Sequence, residues 1–368
     1  MIEQLNSLSL RQKVGQLFFI GISGPEIDVA TKDLLNDVSP GGICLFTRNI
    51  REAEQTRKLL DELREILPVT PFISVDQEGG LVDRFRRILS PMPAANKIKT
   101  IADAAKLAMI IAESTRILGF NMNFAPVVDV VDDFREQTSN GLYSRAFGRS
   151  KENVVELAGE FLQVVQNNGV VGCVKHFPGL GAAKVDSHEE LPSVDISDGV
   201  LSDIDLFPYR ELFAFGNIKL VMAAHASFPN AHLQETDQNG RLLPSSLSHN
   251  FITQLLRNEL GYDGLAITDD LEMGAIMKNY GIGAACVMAV NAGQDLLAIC
   301  AEPENIRAGY AAVLSEVESG EISENRLALS LDRIAKLKSQ LAEPLPFDNG
   351  RLGAISDEII EFNTYLNR

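Results

Sequence analysis

The stretch of residues 264–269, Gly-Leu-Ala-Ile-Thr-Asp, is a short apolar run that ends in a carboxylate and is followed by a second one, Asp270. Such a run is typical of a strand that is buried on both faces of a parallel sheet. Seven further runs of this kind occur along the chain, at residues 14–22, 41–46, 71–76, 121–128, 170–175, 219–224 and 295–299. Because the eight runs alternate with longer helical segments, the sequence predicts an α/β fold, a single (β/α)8 barrel of the TIM type, rather than a doubly wound sheet.

Helical patterns fill most of the spaces between these runs. Residues 51–67 carry apolar residues at helical spacing, residues 103–118 are rich in Ala, Ile and Leu, and residues 248–260 follow a Pro-Ser-Ser-Leu-Ser start signal. We assign residues 1–343 to the barrel domain. Residues 344–368 begin with Pro-Leu-Pro and then show helical spacing, so we expect a C-terminal helical extension packed on the barrel.

The composition excludes several classes of protein. The 368 residues are 45% hydrophobic and 23% charged, which suits a globular protein rather than a disordered or collagen-like chain. Fifty acidic and 33 basic residues leave a formal net charge of -17, so we expect neither a nucleic-acid nor a membrane partner. The four cysteines are far apart and form no Cys/His cluster at metal-ligand spacing. We therefore expect reduced core thiols, no metal and no cofactor.

The cellular location is predicted from the N-terminal region. Its longest apolar run, residues 14–22, contains Gln16, is too short to span a membrane and is not followed by a small-residue cleavage site. We expect a cytoplasmic protein, with a monomer as the default oligomeric state.

Ionisable residues stand at the ends of five predicted strands: Asp76, Asp129, Lys175-His176, His225 and Asp269-Asp270. In a (β/α)8 barrel the carboxyl ends of the strands meet at one rim, where catalytic groups stand. A single residue of this kind is most simply a capping or paired structural residue, because ionisable groups next to a buried strand cost free energy unless they are paired or used. Five strands that end in this way predict an active site at the rim.

The segment 175–192, Lys-His-Phe-Pro-Gly-Leu-Gly-Ala-Ala-Lys-Val-Asp-Ser-His-Glu-Glu-Leu-Pro, has two interpretations. Its glycines suggest a phosphate-binding loop, but no helix opens after them and the G-K-[ST] ending is missing. The second interpretation starts from Asp186 and His188. A carboxylate beside an imidazole fixes its tautomer and raises its pKa toward neutrality, as general acid–base catalysis requires.

This segment resembles the K-H-F-P-G-x-G-x(4)-D-S-H-x-x-L-P signature of glycoside hydrolase family 3, in the branch of bacterial exo-β-N-acetylglucosaminidases that serve cell-wall recycling. Further stretches resemble the other landmarks of the family and occur in the same order, at residues 41–50, 75–80, 123–130, 144–148 and 268–273. The resemblance covers about residues 8–340.

The resemblance implies a retaining β-N-acetylhexosaminidase, a hydrolase of peptidoglycan recycling. Asp269, in Thr-Asp-Asp-Leu-Glu-Met, would be the nucleophile that forms a glycosyl-enzyme. His188 would be the acid/base, with Asp186 orienting and charging it. The implied substrate is a small molecule, a GlcNAc-terminated muropeptide or chito-oligosaccharide. Its terminal sugar would be bound by Asp76, Arg84, Arg145, Lys175 and His176.

Several alternatives remain open. A β-glucosidase or β-xylosidase of the same family usually carries Trp after the nucleophile and a second domain, whereas this chain has no Trp. A non-catalytic sugar-binding protein is the second alternative, and a mechanism in which the substrate acetamido group attacks is the third. Arg84 and Arg145 could instead form ion pairs that brace loops. We expect Asp270 and Glu272 to be N-terminal residues of a helix, stabilised by its dipole. Departures from the family pattern affect loop anchoring and affinity, at Leu81, Leu180 and Ala224.

Overall fold

The computed structural model describes residues 1–137, 142–183 and 191–368. The strands of this part, numbered in chain order, are β1 Phe18–Gly21, β2 Gly42–Leu45, β3 Phe72–Val75, β4 Gln77–Gly79, β5 Val82–Asp83, β6 Met122–Asn123, β7 Val171–Phe177, β8 Leu220–Ala223, β9 Leu265–Thr268 and β10 Leu297–Ile299.

Within the described residues, eight of the strands form one parallel sheet in the order β10-β1-β2-β3-β6-β7-β8-β9. Its two ends also meet. The Thr268 amide donates a hydrogen bond to the Leu296 carbonyl at 3.1 Å, and the Asp295 amide donates one to the Ala266 carbonyl at 2.9 Å. These bonds close the sheet, so the predicted (β/α)8 barrel is confirmed. The remaining strands, β4 and β5, form a short antiparallel hairpin above β3.

The barrel strands are buried along their whole length, because one face packs into the barrel interior and the other against the surrounding helices. This explains why their sequences are continuous apolar runs rather than alternating patterns. Each of the eight predicted runs coincides with one strand of the sheet, and β7 extends two residues beyond the predicted end at Lys175.

Helices cover the outside of the barrel and connect its strands. The helices of the described residues, short 3-10 and π-helical turns included, are Ile2–Asn6, Leu10–Gly15, Val29–Val38, Ala53–Ile66, Ala95–Lys97, Ile101–Leu118, Asp133–Glu136, Leu142–Arg145, Lys151–Asn167, Asp198–Val200, Leu201–Asp205, Phe207–Ala214, Ser245–Leu247, Asn250–Glu259, Gly274–Met277, Ile282–Ala292, Pro303–Ser319, Glu324–Lys338 and Asn349–Leu366.

The predicted helices occur with shifted ends. Residues 51–67 contain the helix Ala53–Ile66, and the helix predicted at residues 103–118 begins two residues earlier, after the Thr100 cap. The third is a π-helix that begins at Asn250. At this start the Ser248 hydroxyl accepts the Phe251 amide at 3.3 Å, and the Glu235 carboxylate accepts the Asn250 amide at 2.9 Å.

The C-terminal helix Asn349–Leu366 begins after Asp348, whose carboxylate accepts the Arg351 amide at 2.9 Å. Its apolar side is buried, and Arg351 forms a bidentate ion pair with Glu113 of the helix Ile101–Leu118 at 2.6 and 2.7 Å. The division of the chain at residue 343 stays a prediction. Among the described residues, no helix has both the length and the apolarity needed to cross a bilayer.

Candidate active site

A cavity of about 220 Å³ opens at the carboxyl ends of the barrel strands. It is lined by six of the residues that the sequence singled out: Asp76, Arg84, Arg145, Lys175, His176 and Asp269. The two others, Asp186 and His188, lie outside the described residues. The parallel strands therefore bring together side chains that are up to about 200 positions apart in the sequence, as the (β/α)8 arrangement dictates.

Asp269 follows β9 directly and faces the cavity. One of its carboxylate oxygens accepts the Asp270 amide at 2.9 Å. Burial alone would raise the pKa of Asp269, but the neighbouring His176 and His225 imidazoles, the Asp270 amide and the Lys175 ammonium lower it below its ordinary value. The carboxylate is thus ionised at neutral pH, as a nucleophile must be.

A buried ion network holds two of the cationic side chains. The Lys175 ammonium, 2% exposed at the end of β7, lies 2.8 Å from Asp76 Oδ1 and 2.7 Å from Glu78 Oε1. Glu78 also accepts two hydrogen bonds from the Arg145 guanidinium, both at 2.9 Å. Burial by itself would raise the pKa of Glu78, but Arg145 and Lys175 hold it well below its usual range. Glu78 is therefore an anion that fixes both cations at the wall of the cavity.

His176 is oriented by Asp129, which lies six residues after β6. Its Nδ1 lies 2.7 Å from Asp129 Oδ2, and the other carboxylate oxygen accepts the Leu180 amide at 2.6 Å. One buried carboxylate thus positions both the imidazole ring and the start of the following loop. The ring presents Nε2 toward the Arg145 guanidinium, at 3.4 Å.

Arg84 reaches the cavity from the residue after β5. Its main-chain amide donates to Gln77 Oε1 at 2.9 Å, which ties it to the hairpin, and its Cζ lies 5.8 Å from the centre of the Phe46 ring. The buried Nε of Arg84 has no hydrogen-bond partner. The Arg84 guanidinium forms no ion pair with another described residue. Arg145, in contrast, does form a loop-bracing ion pair and still lines the cavity.

Two other residues of the rim have structural roles. His225 is fully buried and both its ring nitrogens are bonded, Nδ1 to Ser246 Oγ at 2.6 Å and Nε2 to the Asp270 carbonyl at 3.1 Å. Glu272 accepts the Glu302 amide at 3.0 Å, at the start of the helix Pro303–Ser319. Glu272 was expected to be an N-terminal residue of a helix, but it instead contacts the N terminus of a helix that begins about 30 residues later in the chain.

Asp270 differs from that expectation because its carboxyl group lines the cavity. Oδ1 accepts the amides of Glu272 at 3.1 Å and Cys300 at 3.2 Å, so the carboxyl joins two loops of the rim. Burial, followed by the neighbouring charges of Glu272 and Asp269, raises the pKa of Asp270 to about 7.

The sequence analysis did not predict Glu78 as a site residue, and it named Asp129 only as an ionisable residue at the end of a predicted strand. The signal for Glu78 is present in Asp76-Gln77-Glu78-Gly79-Gly80, since a carboxylate inside a tight hairpin above a strand end must find a partner or remain exposed. The partner could not be identified, because Arg145 lies 67 residues away.

Comparisons with known proteins agree with this geometry. Residues 9–337 match the model of the family described as Glycosyl hydrolase family 3 N terminal domain. The chain is 31% identical over 316 residues to a protein named Beta-hexosaminidase from Tolumonas auensis, covering 84% of this chain and 89% of that one. It is 31% identical to Beta-hexosaminidase A from Pseudoalteromonas piscicida, of which it spans 58%.

Solved structures show the same similarity. A glycoside hydrolase family 3 beta-N-acetylglucosaminidase from Paenibacillus sp. str. FPU-7 superposes with a TM-score of 0.87 at 37% identity. The match covers 97% of this chain and 69% of that one.

Proposed function

The chain belongs to glycosyl hydrolase family 3 and is a glycoside hydrolase, and on this premise we propose that it is a retaining exo-β-N-acetylglucosaminidase. The observation that carries the proposal is the ionised Asp269 at one cavity with five sugar-binding candidates. The names of the curated relatives, which are beta-hexosaminidases, support the choice of the sugar.

Asp269 attacks the anomeric carbon in this mechanism. The C–O bond to the leaving group breaks while an ester bond forms between the sugar and the carboxylate, and water later hydrolyses that ester. The Asp270 amide, which donates to Oδ1, orients the carboxylate and leaves Oδ2 for attack. A lowered pKa keeps this group ionised at neutral pH.

The terminal sugar is held by Asp76, Arg84, Arg145, Lys175 and His176. Hydrogen bonds between charged groups and hydroxyls are stronger than those between neutral groups. A cavity of about 220 Å³ is small beside the roughly 300–1,000 Å³ of typical ligand pockets, which favours a single sugar ring and hence removal of sugars from a chain end.

Proton transfer is assigned to His188, with Asp186 orienting it, on the family resemblance of segment 175–192. His188 protonates the departing oxygen and then takes a proton from water. A histidine that has given up its proton is neutral, so it does not repel an anionic leaving group such as a muramic acid. We therefore propose GlcNAc-terminated muropeptides from peptidoglycan recycling as substrates. A cytoplasmic location is supported by the four free cysteines, all within the described residues.

The test compares hydrolysis of p-nitrophenyl β-GlcNAc and p-nitrophenyl β-glucoside by the wild type and by Asp269→Ala. We expect a strong preference for GlcNAc and loss of turnover in the variant. Asp263→Ala is the matched control, because Asp263 is an exposed carboxylate two residues before the amino end of β9, whereas Asp269 follows its carboxyl end. A preference for the glucoside would favour a β-glucosidase, and inactivity on both would favour a sugar-binding protein.

A second experiment separates the covalent mechanism from attack by the acetamido group. A 5-fluoro glycosyl donor should add one sugar to the intact protein, and peptide mapping should place it on Asp269. If the protein turns over substrate but no adduct forms on that peptide, the acetamido group is the nucleophile.

A further inference from the structure

The main-chain amide that orients the proposed nucleophile belongs to Asp270. This amide donates to Asp269 Oδ1 at 2.9 Å, and the Asp269 amide itself donates to the carbonyl of Ala223, the last residue of β8, at 3.1 Å. A carboxylate can turn about its side-chain bonds, so it presents one oxygen to the sugar only if the other oxygen is held. The position of the Asp270 amide therefore decides where the attacking oxygen of Asp269 points.

The carbonyl of Asp270 is held by His225. The imidazole Nε2 lies 3.1 Å from this carbonyl oxygen, which can only accept, so Nε2 carries the proton. Burial lowers the pKa of His225, and the ring is therefore neutral at neutral pH, with Nδ1 unprotonated. The Ser246 hydroxyl, 2.6 Å away, donates to that Nδ1. His225 thus has one fixed tautomer, and its N–H points at the main chain next to the nucleophile.

Ser246 is itself fixed from two sides. Its amide donates to the Ala224 carbonyl at 3.1 Å, and the Gln294 side chain donates to its carbonyl at 3.1 Å. His225, Ser246 and Gln294 are all completely buried. Buried side chains cannot exchange a protein partner for bulk water, so each hydrogen bond of this chain constrains the next one.

The carboxyl group of Asp270 is held at two points. Oδ1 accepts the amide of Glu272 at 3.1 Å and that of Cys300, the residue after β10, at 3.2 Å. The Cys300 carbonyl in turn accepts a hydrogen bond from Arg48. Asp270 therefore uses its amide on the nucleophile, its carbonyl on His225 and its carboxyl group on the loop after β10.

We propose that Asp270 and His225 are positioning residues of the glycosidase reaction, which hold the Asp270 amide in place and through it the attacking oxygen of Asp269. The inference rests on the proposed function, in which Asp269 is the nucleophile. Neither side chain exchanges a proton with the substrate in this role. Because Asp270 lines the cavity, a second role as acid or base is the alternative, and the test must separate position from charge.

Asp270→Asn and Asp270→Ala make that separation. Asparagine keeps a carbonyl oxygen that can accept both amides and removes the charge, whereas alanine removes the acceptor. With p-nitrophenyl β-GlcNAc, we expect kcat of Asp270→Ala to fall by on the order of 100-fold, because a displacement of about 1 Å at a reacting group costs that much. KM should change little, since the five sugar-binding candidates stay in place. Asp270→Asn should recover most of the lost kcat.

Variants of His225 test the other side of the segment. Leucine fills the space without a donor, whereas the glutamine side chain can place an N–H group near the Nε2 position. We expect His225→Leu to lower kcat as Asp270→Ala does, and His225→Gln to recover part of the loss. This second pair of variants decides the question if Asp270→Ala fails to fold.

Asp237→Ala is the matched control. Asp237 Oδ1 also accepts two main-chain amides, those of Asn239 at 2.8 Å and Arg241 at 3.0 Å, but Asp237 does not line the cavity. Its loss should leave kcat and KM at their wild-type values. A fall in kcat in this variant as large as that of Asp270→Ala would show a general effect of loop disruption and would overturn the inference.

Trapping with a 5-fluoro glycosyl donor separates failure of this inference from failure of the proposed function. If the wild type turns over substrate but forms no adduct on Asp269, the proposed nucleophile is wrong and the inference falls with it. If the wild type forms the adduct, we expect slower formation in Asp270→Ala and His225→Leu. Equal rates in the wild type and these variants would refute the positioning role alone. A loss of kcat in Asp270→Asn as large as in Asp270→Ala would also refute it, because the charge of Asp270 would then be required.

Discussion

Glu78→Gln should lower kcat/KM while the protein remains folded. The glutamate is 5% exposed and accepts one hydrogen bond from Lys175 and two from Arg145, each from a charged donor. Hydrogen bonds to charged groups contribute about 1.5–3 kcal/mol each, and loss of one partner of a buried pair costs about 3–5 kcal/mol. Glutamine retains one carbonyl oxygen but directs an amide group at one of the cations, so about two of the three bonds are weakened.

The lower end of that range applies because the Arg145 side chain is 24% exposed. A loss of about 3 kcal/mol corresponds to a fall in kcat/KM of about 100-fold. We expect the larger part in KM, since Lys175 and Arg145 would lose their fixed positions at the sugar while Asp269 remains in place. Steady-state kinetics on p-nitrophenyl β-GlcNAc, with thermal unfolding in parallel, measures both effects.

Glu113→Gln is the matched control. Glu113 forms a similar bidentate pair with Arg351 at 2.6 and 2.7 Å, but on the outside of the barrel. It should reduce stability slightly and leave kcat/KM unchanged. Glu78→Asp should recover part of the lost KM because it restores the charge. If Glu78→Gln lowers the melting temperature but keeps kcat/KM within threefold of wild type, Glu78 only stabilises the fold and the argument is wrong.

Three further perturbations test other groups. Replacement of His188 by Ala should cost far less on dinitrophenyl glycosides than on a disaccharide, because a general acid contributes most when the leaving group is poor; equal losses would indicate a positioning role. Arg145→Ala should reduce transition-state stabilisation, measured from kcat/KM, by on the order of 2 kcal/mol, because charge-assisted hydrogen bonds to the sugar and the ion pair with Glu78 are lost. Unchanged kinetics would indicate that Arg145 only braces the loops. Burial lowers the pKa of Lys338 to about 7, and its ammonium lies 2.9 Å from Gln16 Oε1. Above pH 7 Lys338 is protonated in the unfolded chain but loses its proton in the folded one, so the free energy of unfolding of the wild type should rise toward pH 10. Denaturant unfolding should show this rise relative to Lys338→Met, by on the order of 3 kcal/mol. A difference in free energy between the two proteins that does not change with pH would contradict the prediction.

The sequence by itself determined the barrel and the location of the site. The eight strands could be predicted because a strand buried on both faces must be continuously apolar, and this pattern is local. Once the strands are parallel, their carboxyl ends share one rim, so Asp76, Lys175 and Asp269 had to come near one another. The family resemblance assigned the catalytic and sugar-binding roles, and all of these roles stay predictions.

Only the tertiary structure decided which rim residues face the cavity and which are paired below it. His176 and His225 both lie at the carboxyl-end rim of the sheet. His225 has both ring nitrogens bonded, to Ser246 and to a main-chain carbonyl, whereas His176 lines the cavity. Likewise, Glu78 is defined by its contacts with Lys175 and Arg145. These contacts join distant segments, and their geometry depends on strand register and on where each loop returns, which no local pattern of residues encodes.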